Sequence, residues 1–493
     1  MPTIMRKQVI LFLPTLLLLL LSACDGKNTQ VEIKNEADLA GKRIAVSTGS
    51  IYDLELSKRT DILLERYSTT PDIIAAIKSG KVDVFKDDEI MLSPSDLRRH
   101  GLKKAFLTDQ TFDVAYAFRL DDGETVTLFN RFLAESRQSG LYDEIVHRWF
   151  GTEEPDTVSM PYLSQSASGP TLFVGVSVLM APMSFREGDQ WKGFEIEILQ
   201  RFAHYAGRPI DIRYYDLPGA TAALHSGKID VLSSSFFVTE ERKKSVLFSD
   251  PHYVCHPAYF VLDNKAALSL DFWGLLKESF HKNLIVENRW RFIVDGLYET
   301  LVISVWSLLL GTLLAALVCW MRMSRNRWIR AVARIYIDFL RGVPLLVLLM
   351  MMFYVVLAQS GLNATTVAVI SFSLVFAAYV SEMFRTAILS VGKGQVEAGI
   401  ALGFTPLQTF FYIILPQAAR AVLPVYKGEA VSLFKNTSIV GYIAIQDLTK
   451  ASDLIRSRTF DAFFPLIVIT IIYFILAWLL GKALDLTIKR KNQ

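Results

Sequence analysis

Residues 397–416 read EAGIALGFTPLQTFFYIILP, a stretch of small residues punctuated by glycine and closed by Leu415-Pro416. Glu397, Ala398 and Gly399 open it as a short helix whose small side chains let a partner's groove approach closely. Gly403 is placed to end that helix, because glycine accepts φ > 0 at little cost. Apolar segments flank the stretch on both sides, so it reads as a docking loop between two membrane helices.

Working outward, Thr300–Met321 carries no charge and is long enough to cross a hydrocarbon core of about 30 Å. Gly342–Ser381 is also uncharged but too long for one helix, and Gln359-Ser360-Gly361-Leu362-Asn363 breaks it into two spans. Ala421–Ile445 is a weaker span because it holds Lys427, Glu429 and Lys435, and connecting the loops requires it. Ala462–Gly481 is the last. The expectation is an all-α domain of five membrane helices over 295–485, preceded by a connector over 263–294.

Six arginines from Arg322 to Arg341, and Lys482, Lys489, Arg490 and Lys491 in the tail, place those segments and the Glu397 loop on the cytoplasmic side by the positive-inside rule. The chain has 493 residues and is 52% hydrophobic, with positive mean hydropathy, as expected of several domains, one of them in a membrane. A net charge of +3 gives no reason to expect a nucleic-acid partner. Cys24, Cys255 and Cys319 imply no disulfide framework, and no His/Cys cluster suggests a metal site. No Gly-x-x-x-x-Gly-Lys-Ser/Thr motif occurs, so no nucleotide cofactor is expected in this chain,.

Arg6 and Lys7 precede an apolar run, Val9–Leu21, followed by Leu21-Ser22-Ala23-Cys24. Residues 1–24 read as a secretory signal. The tetrapeptide resembles a lipobox, which would make Cys24 a lipidation site, and Asp25 resembles an inner-membrane retention signal. An uncleaved anchor helix is the alternative. Either places the next domain outside the cytoplasm.

Ala75–Phe85 (AAIKSGKVDVF) and Ala222–Leu232 (AALHSGKIDVL) echo each other. Each reads as a helix end, a Ser-Gly-Lys turn and a short strand, so two similar α/β lobes are expected. They would occupy 28–151 and 170–262, joined by a Ser/Pro-rich linker at 152–169. Asp83 and Asp230 read as turn or strand-end residues.

Two resemblances sharpen this reading. Glu397, Ala398, Gly403, Ile413, Leu415 and Pro416 fit the pattern of the coupling loop in permease subunits of ABC importers, with Gly399 where an alanine is usual. Tyr336–Leu345, Ala378–Arg385 and Lys435–Ser438 resemble further stretches of polar amino-acid permeases. The resemblance implies a separate ABC ATPase that binds the ATP and docks on this loop. It also implies a second permease subunit, either a second copy in a homodimer or a different permease chain. Glu382 and Arg385 share a helix face and, with Lys435, are candidates for the transport path.

The lobes resemble type II periplasmic amino-acid-binding proteins in permuted order, 170–262 being similar to the usual first part and 38–151 to the second. That implies Arg242 for a substrate's α-carboxylate, assisted by Ser50, Ser234 and Ser235, and Asp88 for its ammonium. Met180 and Leu217 stand where an aromatic often stacks on the ligand, and Phe237 where a hydroxyl is common. A single permuted domain closing within one chain is expected, with two truncated domains that each pair with a lobe from another chain as the alternative. The competing class is a ligand-gated or sensory receptor. A sensory receptor would need a cytoplasmic output domain, for which the tail after Gly481 is too short.

Overall fold

The computed structural model describes residues 33–490 except 153–154, 162–167, 178, 188–189, 234–235 and 264–271. The signal-like segment with Cys24 and the pair Ser234–Ser235 lie outside the described residues.

Strands β1 (Arg43–Ser47), β2 (Leu63–Tyr67), β3 (Val84–Asp88) and β4 (Leu102–Leu107) alternate with helices α1 (Ile51–Leu56), α2 (Thr70–Lys78) and α3 (Pro94–His100). Each of these helices starts on a hydroxyl cap: Ser50, Thr69 and Ser93 accept the N–H groups of Asp53, Asp72 and Asp96,. The chain then crosses through β5 (Phe112–Val114) and β6 (Ala117–Phe118) to α4 (Gly123–Gln138) and α5 (Leu141–Phe150). There follow β7 (Leu172–Val176), the hairpin β8 (Phe185–Glu187) and β9 (Gln190–Lys192), α6 (Phe194–Tyr205) and β10 (Ile210–Tyr214). After α7 (Leu217–His225), β11 (Val231–Ser233) and β12 (Leu247–Phe248), the chain returns through β13 (Tyr253–Cys255) and β14 (Pro257–Leu262).

Among the described residues these strands form two five-stranded sheets, β2-β1-β3-β14-β4 in lobe 1 and β10-β7-β11-β6-β12 in lobe 2. The expected division into 28–151 and 170–262 is corrected by this order. β14 belongs to lobe 1, whereas β6, α4 and α5 belong to lobe 2, where Phe129, Phe132 and Trp149 share a core with Val174, Phe194 and Phe202. The reason is local. β5 and β13 pair antiparallel, Val114 opposite Tyr253, so the two crossovers run side by side as a hinge and each enters the other half's sheet. The lobes therefore complete each other within this one chain.

The echoing segments hold equivalent places. Asp83 accepts the Arg43 N–H at 2.9 Å and pairs with its guanidinium. Asp230 accepts the Phe173 N–H at 3.0 Å and pairs with Arg208 and Arg119. Both are strand-end anchors, as expected.

The helical part begins with α8 (Phe272–Phe280) and α9 (Trp290–Met323). It continues with α10 (Arg327–Gly342), α11 (Leu345–Met351) and α12 (Ala364–Ser390). Then come α13 (Lys393–Ala401), α14 (Pro406–Thr409), α15 (Leu415–Asn436), α16 (Leu448–Thr459) and α17 (Phe464–Arg490). Asn363 caps α12 by accepting the Thr366 N–H at 2.8 Å, so the expected break falls in place.

Of the five spans expected, length and composition single out three or four. Among the described residues α9, α12 and α17 are long and apolar enough to cross a membrane, and the pair α10 with Leu345–Val356, bent by 107°, makes up to four. α15 is not among them because Arg420, Lys427, Glu429 and Lys435 interrupt it. Lys427 is accommodated by an ion pair with Asp485 at 2.7 Å.

α9 and α12 run parallel. Glu299 accepts from Thr365 at the end nearer the lobes, and Arg322 pairs with Glu382 at the far end. Gly296 lets the entry to α16 lie against α9, since a Cβ there would be 2.6 Å from the Asp447 carbonyl oxygen. Both lobes rest on this end of the bundle. α7 shares an apolar cluster with Leu349, Phe353 and Phe372. On the other side Asp72 of lobe 1 pairs with Arg456, and Phe460 packs with Ile73 and Ile77.

Candidate functional site: a cleft shared by both lobes and the bundle

A cavity of about 530 Å³ lies where the lobes face each other and the bundle, within the range of about 300–1,000 Å³ usual for small-molecule sites. The structure brings Arg242, Asp88 and Ser50 together in its walls. Arg242 comes from lobe 2, just after β11. Its Nη1 donates to the Phe237 carbonyl at 3.1 Å, and its guanidinium lies 4.0 Å from the Phe236 ring centroid. Burial holds its pKa below the usual guanidinium value, and among the described residues no carboxylate forms an ion pair with it.

Asp88 comes from lobe 1, at the end of β3, and accepts the Ile90 N–H at 3.3 Å. Burial pushes its pKa up to about 6, against the Cys255 and Ile90 hydrogen bonds that lower it. Burial likewise pushes Asp87 up to about 7, and its Oδ2 has no partner among the described residues. Ser50 accepts the Asp53 N–H at 3.2 Å as the cap of α1, which leaves its hydroxyl proton to donate.

Met180 and Leu217 do line the cleft, and its aromatic walls come from elsewhere, from Tyr52, Tyr214, Phe236 and Phe237. The bundle contributes Tyr442, Asp447, Lys450, Asp453 and Arg456. Sequence reasoning misses these bundle residues. The signal available is charge at a spacing of three, Lys450, Asp453 and Arg456, in a segment between two apolar runs.

The Glu397 segment lies at the far end of the bundle. α13 closes at Leu402, and Gly403 follows at φ +82°, its N–H bonded to the Ile400 carbonyl at 2.9 Å. Gly399 is buried against Thr409, whose Cγ2 would lie 2.7 Å from an added Cβ. The glycine is thus required by packing rather than being interchangeable with alanine. Ile400, Leu402, Leu407 and Tyr412 are all more than half exposed, which leaves an apolar surface beside the exposed Glu397.

Pro416 is corrected from the end of a loop to the first turn of α15, in a helix continuous from Pro406 through a π turn at Phe410–Ile414. Proline offers no N–H to the carbonyl four residues back, and the wider turn absorbs that missing donor.

Glu382 and Arg385 pair at 2.7 Å as expected. Glu382 also holds Arg322, at 3.2 Å, so its carboxylate ties α12 to α9. Lys435 is exposed in the last turn of α15. None of these three lines the cleft.

Residues 307–491 match the family described as "Binding-protein-dependent transport system inner membrane component". The L-cystine transport system permease protein TcyB of Bacillus subtilis (strain 168) is 37% identical over 225 residues, 45% of this chain and 92% of that protein. The chain belongs to this permease family. The putative glutamine transport system permease protein GlnP of Rickettsia bellii (strain RML369-C) is 35% identical over 192 residues, 38% of this permease and 88% of GlnP. A solved amino acid ABC transporter crystallised with histidines is 33% identical, with a TM-score of 0.39, and covers 45% of this permease and 100% of that chain.

Proposed function

We propose that this permease captures a polar amino acid with its own two lobes and passes it inward, driven by a separate ATPase. The observation that carries the reading is the cleft itself. Arg242 and Asp88, an unpaired cation and a buried carboxylate on opposing lobes, face one cavity that opens against the bundle. An α-amino acid carries one charge of each sign, so Arg242 with Ser50, Ser234 and Ser235 takes the carboxylate and Asp88 the ammonium. The names of the relatives, L-cystine and glutamine permeases, support the substrate class.

Fusion holds the lobes at the mouth of the bundle and raises the local substrate concentration there. The lobes lie on the extracytoplasmic side, and the Glu397–Gly403 helix and the C-terminus on the cytoplasmic side, in keeping with the basic residues from Arg322 to Arg341,. The exposed apolar surface around Leu402 and Leu407 receives the ATPase, which binds the ATP. An ATPase dimer has two clefts, so two copies of this permease assemble. Glu382 with Arg385, and Lys435, stay candidates for the transport path, although Glu382 also ties α12 to α9 through Arg322.

The test is calorimetric titration of full-length protein in nanodiscs with the standard L-amino acids and L-cystine. Binding by the wild type that is lost in Arg242→Ala supports the reading. A folded protein that binds none of them overturns it. Binding without ATP-driven uptake in proteoliposomes, once the partner ATPase is added, favours a sensory receptor.

A further inference from the structure

α16 stands at the cleft as a fixed wall. Asp447 caps it, accepting the Lys450 and Thr449 N–H groups at 3.0 and 3.1 Å. Tyr473 donates to Asp447 at 3.2 Å, and the Leu448 N–H donates to Thr300 at 3.2 Å. Lys450 and Asp453, three residues apart, share the face turned to the cavity,.

Lys450 is 8% exposed, with Nζ 4.2 Å from the Tyr214 ring centroid of lobe 2. Among the described residues no carboxylate lies within ion-pair distance of it, although Asp216, Asp447 and Asp453 surround it. Asp453 accepts from Arg456 through Oδ1 at 3.3 Å. Arg456 is itself engaged by Asp72 of lobe 1.

We propose that Lys450 and Asp453 form the distal half of the ligand site and receive the end of the substrate's side chain. The inference rests on the amino-acid reading of the cleft, in which Arg242 and Asp88 take the α-groups. A buried ammonium only donates and a carboxylate only accepts. The side-chain end that satisfies both carries an acceptor beside a donor, as a carboxamide does, or a second amino-acid head group. A side-chain carboxylate would meet Lys450 but be repelled by Asp453, and an ammonium would suffer the reverse. An alkyl end leaves the buried Lys450 ammonium without an acceptor, which is how such sites reject analogues.

The test uses full-length protein in nanodiscs, titrated with L-glutamine, L-cystine, L-glutamate, L-lysine and L-norleucine, with thermal unfolding as the folding control. The wild type is expected to bind L-glutamine or L-cystine about tenfold or more tighter than the other three. Lys450→Met erases that preference while affinity for L-norleucine holds, and Lys450→Arg retains it.

Unchanged preference in Lys450→Met, with binding still lost in Arg242→Ala, overturns this inference and leaves the amino-acid reading standing. An equal loss for all five ligands in Lys450→Met shows a structural role and also overturns it. No binding by the folded wild type overturns both readings.

Discussion

Asp88 is where a single residue makes the cleft sensitive to pH. Burial raises both Asp87 and Asp88, to about 7 and about 6, so the folded protein holds protons that the unfolded chain releases. Their contribution to stability is favourable at low pH and is lost as pH rises from about 4 to about 7. An ammonium ligand needs the ionised Asp88, so binding runs the other way. Affinity for the bound amino acid is expected to rise about tenfold from pH 5 to 7.5, read by titration at several pH values. Asp88→Asn should weaken binding and flatten the profile. Asp87 is the neighbouring carboxyl that burial also raises, and a profile unchanged in Asp88→Asn would assign the dependence to it. Gly399 makes a second prediction at this scale. Gly399→Ala places a methyl group 2.7 Å from Thr409, so the far-end helix should lose about 1–3 kcal/mol, measured by chemical denaturation.

Among the elements, α13 and the turn after it form a surface on which Ile400, Leu402 and Leu407 are each more than half exposed. Replacing Leu402 and Leu407 together by serine should lower ATPase association about tenfold, measured by pull-down with the purified ATPase. Amino-acid affinity should stay unchanged, because the cleft is at the other end of the bundle. Much of the element plan is legible in the sequence. The break before Asn363, the helix end at Gly403 and the anchoring of Asp83 and Asp230 all depend on local chemistry: a cap, a positive φ, a strand-end carboxylate. Pro416 departs from that plan because a π turn can carry a helix past a proline, and nothing in the residue pattern announces that wider turn.

At the scale of the whole molecule, α16 touches both lobes at once, Lys450 reaching Tyr214 of lobe 2 and Arg456 reaching Asp72 of lobe 1. Lobe 2 is also seated on the bundle through an apolar cluster, and lobe 1 through Phe460 against Ile73 and Ile77 beside the Asp72 ion pair. Arg456→Met removes the cation and should loosen lobe 1 selectively. Hydrogen exchange of α2 is expected to quicken about tenfold, with α7 unaffected. Equal quickening in both lobes would show that α16 supports them as one body.

From the sequence alone came the two-part architecture, the apolar stretches and the family-like loop at Glu397. Those features are set by residues close together in the chain, through periodicity, capping and composition. The exchange of β6 and β14 between the lobes, the reason for a glycine at 399 and the entry of α16 into the cleft depended on the tertiary structure. Each joins segments far apart in the chain or rests on which side chain fills a given gap, and close packing in three dimensions decides that rather than local preference.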